Sequence, residues 1–368
     1  MIVFLRSIHA AVDSRLMRYV QALDRAGKDS LVLHWPRGGN AKLVDDEARR
    51  VAFSLEANLG GGWKNAFGLL KWTFWCFLTL VRNRKSIKIV HAVDLDTALP
   101  ALLFSKLFGK KFVFDIYDSY GDARSISGVA RKVVDMVEGF AARCAAEVIL
   151  PDTCRTSQVP ATVKNLRIIE NVPFNLGAEC CYGLSSHSDC IKLAYVGILE
   201  EEHRGLEDLL SAVARFPDKV ELHVGGFGPL AGVCERMMQA HRNIHFHGAL
   251  APEQAIGLMA KCDVVIGMYY RTKPHHWRAT PNKYYEHLLL GKPLVTTAGT
   301  PPGVKVTENQ SGWPIREGLA SIAALLEGIT KEECAALGKN ARQKWVEQYS
   351  RYFDEVLIKE YANEICKV

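Results

Sequence analysis

Three turns in the second half of the chain bring together residue types that suit phosphate binding. In Ala194-Tyr-Val-Gly-Ile-Leu-Glu-Glu-Glu-His-Arg-Gly-Leu, an apolar strand ends at Gly197 and Arg204-Gly205 opens a helix. A glycine at that place lets a ligand approach the backbone, and a helix start offers free N–H groups and a positive dipole end to a phosphate. Arg204 adds a planar, permanently charged fork. Glu200, Glu201 and Glu202 would repel a phosphate, so they are expected to face solvent. The second turn, Val224-Gly225-Gly226-Phe227-Gly228-Pro229, follows the strand Glu221-Leu-His-Val. Its glycines allow the same close approach, or simply a tight turn.

The third stretch runs Arg278-Ala-Thr-Pro-Asn-Lys-Tyr-Tyr-Glu-His-Leu-Leu-Leu-Gly-Lys-Pro. Thr280 is expected to cap a helix with Pro281 first, aiming the N–H groups of Asn282 and its successors at a ligand. Lys283 lies in that first turn, where a cation opposes the helix dipole unless an anion joins it. Glu286, three residues on, shares its face and reaches a sugar hydroxyl. The alternative is a plain Lys/Glu pair on an amphipathic helix. Gly291 ends the helix and Pro293 leads into the next strand.

Short β-branched runs alternating with helical stretches must position these turns, which is the pattern of parallel α/β units. Strands are predicted at Ile2–Leu5, Ser30–Leu33, Val51–Leu55, Ile87–His91, Lys111–Asp115, Glu147–Leu150 and Leu166–Ile169. A second series follows at Lys192–Val196, Val220–Val224, Ile244–Phe246, Val264–Met268 and Leu294–Thr297, and past residue 318 only helical pattern remains. Pro, Gly, Ser and Asn break the periodicity between them. The expected division is a first Rossmann-like domain over 1–172, a linker over 173–190 and a second domain over 191–349. A helix over about 350–368 is expected to return to the first domain. Two such domains in tandem usually leave a cleft between their strand ends.

A length of 368 residues with 48% hydrophobic and 23% charged residues fits two packed cores and excludes a disordered chain. The net charge of +6 is uneven. Residues 1–170 hold 25 Lys/Arg and 17 Asp/Glu, whereas 171–368 hold 21 and 23, so an anionic partner is expected at the first half. Ten cysteines without a C-x-x-C pair suggest a reduced, cytosolic chain. The four-residue apolar run before Arg6 is too short for a signal peptide.

The chain resembles the retaining nucleotide-sugar glycosyltransferases of family 4, which have the GT-B fold of two Rossmann-like domains facing each other across a cleft. Tyr195-Val-Gly-Ile-Leu and Pro281-Asn-Lys-Tyr-Tyr-Glu-His with Gly291-Lys-Pro carry the likeness most specifically. Leu31-Val-Leu-His-Trp-Pro-Arg, His91-Ala-Val-Asp-Leu-Asp-Thr-Ala-Leu-Pro and Phe114-Asp-Ile-Tyr-Asp support it. The resemblance implies transfer of a sugar, with retention, from a nucleotide-sugar donor to a glycan acceptor. The acceptor hydroxyl would attack the face that the diphosphate leaves, a phosphate oxygen helping to take its proton. Gly197 and Arg204 would hold the donor diphosphate, Pro281, Asn282 and Lys283 would meet the diphosphate or donor sugar, and Glu286 the ribose, with Gly225 and Gly226 as further donor-binding candidates. Two departures from the family pattern are Ile198, where an Arg is frequent, and Arg278, where an acid is frequent.

The acceptor is expected at strand ends of the first domain, with His9, His91, Asp94, Tyr117 and Asp118 as candidates and Asp118 foremost. Arg204, Lys283, Glu286 and Asp118 form the expected catalytic set. Neither a metal nor a cofactor is expected, since Arg204 and Lys283 would stabilise the leaving diphosphate. Asp94-Leu-Asp96 alternatively reads as a metal-binding D-x-D, or as helix caps. Rival readings of the whole chain are a nucleotide-sugar-binding protein without turnover and a sugar-nucleotide epimerase or phosphorylase of the same fold. Nucleic acid is not an expected partner.

Residues 57–88 hold six cations and no acid, among them Lys64, Lys71, Arg82, Arg84 and Lys85. Between Gly62 and Val81, Trp63, Phe67, Leu70, Phe74, Phe77, Leu78 and Val81 form one helical face, read as core, while Trp72 and Trp75 project elsewhere. A basic helix apolar around most of its girth suits an anionic membrane surface, the alternative being packing under a neighbouring loop. Lys106, Lys110 and Lys111 would extend the patch. The expected location is therefore the cytoplasmic face of the cell membrane, with a lipid-linked glycan as acceptor.

Overall fold

The computed structural model describes residues 1–10, 13–37, 49–55, 66–174 and 190–367. Residues 175–189, most of the expected linker, and Lys64 lie outside them. The chain divides into two compact units, Met1–Glu170 with Arg351–Val368, and Asn171–Ser350.

Unit 1 is built on a seven-stranded parallel sheet. Its elements are β1 (Ile2–Arg6), α1 (Ser14–Arg25), β2 (Ser30–His34), β3 (Arg50–Ala52), α2 (Ala66–Arg82), β4 (Ile89–Val93), α3 (Leu95–Phe108), β5 (Lys111–Asp115), α4 (Tyr120–Ala123), α5 (Gly128–Cys144), β6 (Glu147–Leu150) and β7 (Leu166–Ile168). The strand order β3-β2-β1-β4-β5-β6-β7 reverses direction between β1 and β4. Both faces of the sheet are covered, so β1 and β4 are buried at every position and read as continuous apolar runs. The C-terminal helix Phe353–Ile365 packs on α1, and its Leu357, Tyr361, Ala362 and Ile365 join the core with Phe4 and Tyr19.

Unit 2 has a six-stranded parallel sheet in the order β10-β9-β8-β11-β12-β13, with its own reversal between β8 and β11. The elements are β8 (Ile191–Ile198), α6 (Leu206–Val213), β9 (Val220–Phe227), α7 (Ala231–Ala240), β10 (Ile244–Phe246), α8 (Pro252–Ala260), β11 (Val264–Gly267), α9 (Asn282–Leu290), β12 (Leu294–Thr297), α10 (Pro301–Glu308), β13 (Gly312–Ile315), α11 (Leu319–Gly328) and α12 (Lys331–Lys344). Leu193 and Tyr195 of β8 and Leu222 and Val224 of β9 face α6, whose Leu206, Leu209, Leu210 and Val213 complete that core. Each unit is thus a doubly wound, Rossmann-like sheet with one reversal of strand order.

The aromatic helix departs from expectation. Trp72, expected at lipid, is fully buried with Cys76 and Leu80, one helical turn apart each. Its ring stacks on Trp35 at 6.0 Å and on Trp75 at 5.4 Å, and Phe53 packs against both Trp72 and Trp75. The stripe read as core is instead outward at Phe67, Leu70 and Phe74, each more than 60% exposed. Both faces are apolar, so periodicity does not choose between them. The aromatic pocket made by Trp35 and Phe53 takes the larger indole.

Candidate functional site

In each unit most of the candidate residues lie near the reversal of strand order, where two neighbouring loops of a doubly wound sheet run apart and leave room for a ligand. In unit 2 the reversal lies between β8 and β11. Gly197, at φ 154°, and Gly226, at φ 150°, occupy paired positions on β8 and β9. A Cβ on Gly226 would lie 1.8 Å from the Gly197 carbonyl oxygen, so no other residue fits without moving the strand. Gly225 is packed against Leu250 and Leu258 and faces the sheet's other side.

Arg204 stands at the loop's end, its guanidinium 5.2 Å from the ring of Tyr269, which follows β11. Its Nε donates to Glu200 Oε2 at 3.0 Å, and Lys273 Nζ donates to the same carboxylate. Glu200 therefore points at the cations and not at solvent, a correction to the sequence reading. Burial raises its pKa, but the hydrogen bonds from Lys273 and Arg204 win and bring it down to about 2. Glu201 and Glu202 are exposed.

The start of α6 is less hospitable to an anion than its sequence suggests. Glu207 and Asp208 fill its first turn, the latter accepting from Tyr270 Oη at 2.7 Å. The start of α9 has no acid in its first turn. There Pro281 is the N-cap in extended conformation, and Thr280 makes no side-chain cap; its carbonyl accepts from Asn171 Nδ2 at 2.7 Å. Asn282 is the first helical residue. Lys283 Nζ donates to Glu286 Oε2 at 2.5 Å, both side chains being more than four-fifths buried. The stem of Lys283 lies against Gly267, at the end of β11. Gly291, at φ 63°, closes α9.

The acceptor candidates lie in unit 1 around the reversal between β1 and β4. Arg6, the last residue of β1, donates to Asp13 Oδ2 and Asp94 Oδ2, each at 2.6 Å, under the ring of Tyr117. Asp94 also accepts from the Tyr117 backbone N–H at 3.0 Å. Burial raises the Asp94 pKa, Arg6 opposing. Asp96 accepts from Ser7 Oγ, Arg37 and Arg124. Neither aspartate caps α3 through its side chain. These carboxylates are ringed by arginines, a donor set that satisfies anions and opposes a D-x-D cation site. Asp118 is 40% exposed and held by the buried Arg155 at 2.8 Å. His9 is buried, edge-on to His34 at 5.0 Å.

His91 does not belong with this group. It sits in mid-strand, wholly buried, its Nδ1 2.7 Å from Tyr361 Oη of the C-terminal helix and its Nε2 3.5 Å from Asp115. The strand begins and ends two residues later than its sequence indicates, which moves His91 from the strand end into the core.

The sequence reading overlooked Lys273 and Tyr269, which follow β11 with no motif of their own. It also overlooked Glu221, His223 and His245, whose one ligand atom each lies within 4.8 Å of the others'. Their signal is alternation, Glu-Leu-His and His-Phe-His on consecutive strands.

Comparison with known proteins shows what the chain resembles. Residues 191–331 match the family described as "Glycosyl transferases group 1". No curated protein sequence matches the chain. Among solved structures, Alr3699/HepE of Anabaena in complex with UDP-glucose aligns over 100% of both chains at 16% identity, with a TM-score of 0.70. Sucrose-phosphate synthase (tll1590) from Thermosynechococcus elongatus aligns over 97% of this chain and 96% of its own, at 14% identity and TM-score 0.67. The lipopolysaccharide outer core galactosyltransferase WaaB, in its apo form, aligns over 99% of both chains, at 14% identity and TM-score 0.60. These likenesses establish the GT-B fold, and with the group 1 domain in unit 2 they support a glycosyltransferase.

Proposed function

We propose that the protein transfers a sugar, with retention, from a uridine-diphosphate sugar to a glycan acceptor carried on a lipid at an anionic membrane surface. The observation that carries the donor half is the grouping of Gly197, Arg204, Lys273, Lys283 and Glu286 beside the β8/β11 reversal. Three cations there share two carboxylates, Glu200 and Glu286. An arriving diphosphate offers these cations a stronger anionic partner and draws them from the carboxylates. Glu286, released from Lys283, then accepts from a ribose hydroxyl. In the transition state, negative charge grows on the leaving diphosphate, and preorganised cations with the N–H groups of α9 stabilise it without a metal. UDP is the nucleotide of choice because the HepE complexes hold UDP and UDP-glucose. Asp118, the most exposed of the acceptor carboxylates, would orient the acceptor hydroxyl.

A transfer and hydrolysis assay over a panel of nucleotide sugars tests the reading. Turnover of a UDP-sugar with the anomeric configuration kept is expected, and no turnover with any donor overturns it. Stoichiometric UDP-sugar binding without turnover would establish the rival, a binding protein, which the departures at Ile198 and Arg278 favour.

The membrane half rests on the outward face of three neighbouring helices. α3 packs between α2 and α5. Phe67, Leu70 and Phe74 of α2, Leu99, Leu103 and Leu107 of α3, and Val133, Met136 and Phe140 of α5 are all exposed. Lys71, Arg82, Arg84, Lys85, Lys106 and Lys132 are exposed on the same helices and the turn after α2. Lys111 is excluded, as its Nζ holds the Ile365 carbonyl. An apolar face of this breadth bordered by cations complements anionic headgroups over acyl chains. No helix among the described residues is long and apolar enough to cross a membrane, so the contact would be peripheral.

A further inference from the structure

On β9, Val220, Leu222 and Val224 face the core under α6, so Glu221 and His223 must point to the opposite side of the sheet. The neighbouring edge strand β10 is paired in register, His245 against His223. His245 and His247 therefore share the face of Glu221 and His223. The rings of His223 and His245 stack with centroids 4.7 Å apart, and that of His247 also stacks on His223 at 5.4 Å.

The hydrogen bonding of His223 is incomplete in either neutral tautomer. Its Nδ1 is 3.1 Å from Nε2 of His247 and so is paired. Its Nε2 is buried and has no hydrogen-bond partner; the Glu221 carboxylate, 3.7 Å away, is too far. With the proton on Nδ1, a bare lone pair faces a carboxylate. With the proton on Nε2, a buried donor is left unused.

We propose that Glu221, His223 and His245 bind a divalent transition metal ion of the zinc class. The three ligand atoms lie within 4.8 Å of one another. Zinc bonds of about 2.0–2.1 Å at tetrahedral angles need ligand atoms roughly 3.4 Å apart, which rotation of half-buried side chains supplies. An ion on Nε2 fixes the proton of His223 on Nδ1, which then donates to His247. Such an outer hydrogen bond to a ligating imidazole orients the ring and raises its basicity. Two imidazoles and a carboxylate, with a fourth position open to water, suit Zn²⁺ or Co²⁺ and not Mg²⁺ or Ca²⁺. Lys192 Nζ, 3.7 Å from the Glu221 carboxylate, opposes the ion. The metal would clasp the edge strand β10 to β9 two residues ahead of Gly225-Gly226, and it takes no part in sugar transfer.

The test is titration of the full-length protein, stripped with EDTA, with Co²⁺ followed by visible absorption. One Co²⁺ per chain is expected, with nitrogen/oxygen-type bands that Zn²⁺ abolishes, and with an increase in Tm on Zn²⁺ addition. His245→Ala and Glu221→Gln should each weaken binding tenfold or more. Should either variant fail to fold, Lys192→Gln keeps the test, because removing the competing cation must tighten Co²⁺ binding. Thiolate charge-transfer bands, binding unchanged in His223→Ala/His245→Ala, or an unaltered affinity in Lys192→Gln would each overturn the proposal.

Discussion

Glu200 and Arg204 form a salt bridge at 3.0 Å across the loop after β8, so the first cation assigned to the donor diphosphate already has an anionic partner. On the proposed function, an arriving UDP would have to displace Glu200 from Arg204. Partly exposed pairs of this kind contribute about 0.5–1 kcal/mol. Glu200→Gln is therefore expected to tighten UDP binding two- to fivefold, while Arg204→Ala weakens it by at least tenfold. Calorimetric titration with UDP measures both, and equal affinities in all three proteins would remove Arg204 from the donor site.

The glycines of β8 and β9 should differ in what their substitution does. At Gly226 both the φ of 150° and the 1.8 Å approach to the Gly197 carbonyl oppose a side chain. Gly226→Ala is expected to destabilise the protein by about 2–4 kcal/mol. At Gly197 the φ of 154° is strained but nothing lies within 4 Å of the added methyl. Gly197→Ala should cost about 1–3 kcal/mol and weaken UDP binding more than its stability loss explains. Urea unfolding and UDP titration on the two variants make the comparison.

The strands that hold these glycines were legible because β8 carries the apolar run Leu193-Ala-Tyr-Val and β9 an apolar residue at every second position, Val220, Leu222 and Val224. β13 was not, since Gly312-Trp-Pro-Ile lacks such a run and its Pro is tolerated only at the sheet edge. The Pro281 to Gly291 helix was legible from its punctuation at both ends. What sequence did not reveal depends on distant partners. His91 is claimed by Tyr361, 270 residues away. Trp72 is claimed by Trp35 and Phe53 from two other strands' ends, a choice that local spacing does not encode.

Stability should fall at both ends of the pH range, for a different reason in each unit. In unit 1, burial pushes the Glu138 carboxyl up to about 8, although the Tyr120 N–H opposes it. The folded state keeps a proton that the unfolded chain loses above about pH 4.5, so stability falls as pH rises from there through about 8. In unit 2, burial brings His287 down to about 4, the Lys292 carbonyl opposing. Here the unfolded chain takes up a proton below about 6.5 that the folded state refuses, so stability falls as pH drops from 6.5 to 4. Tm measured across pH should lose its alkaline decline in Glu138→Gln and part of its acid decline in His287→Asn. An unchanged alkaline limb in the first variant would refute the buried, protonated Glu138.

The proposed membrane face separates two roles that the sequence merged in one helix. Trp72 is core, and Trp72→Ala should destabilise by about 3–5 kcal/mol without a specific effect on lipid binding by the folded protein. Phe67, Leu70 and Phe74 touch little of the core, so a Phe67→Ser/Leu70→Ser/Phe74→Ser variant should keep its Tm and lose most of its binding to anionic vesicles. Lys71, whose ammonium lies 4.8 Å from the Phe67 ring, and Lys106 supply the electrostatic share. Lys71→Glu/Lys106→Glu should therefore weaken binding at low salt and differ little from wild type at high salt. Sedimentation with phosphatidylglycerol vesicles reads all of these, and equal partition of the triple serine variant and wild type would place the lipid contact elsewhere.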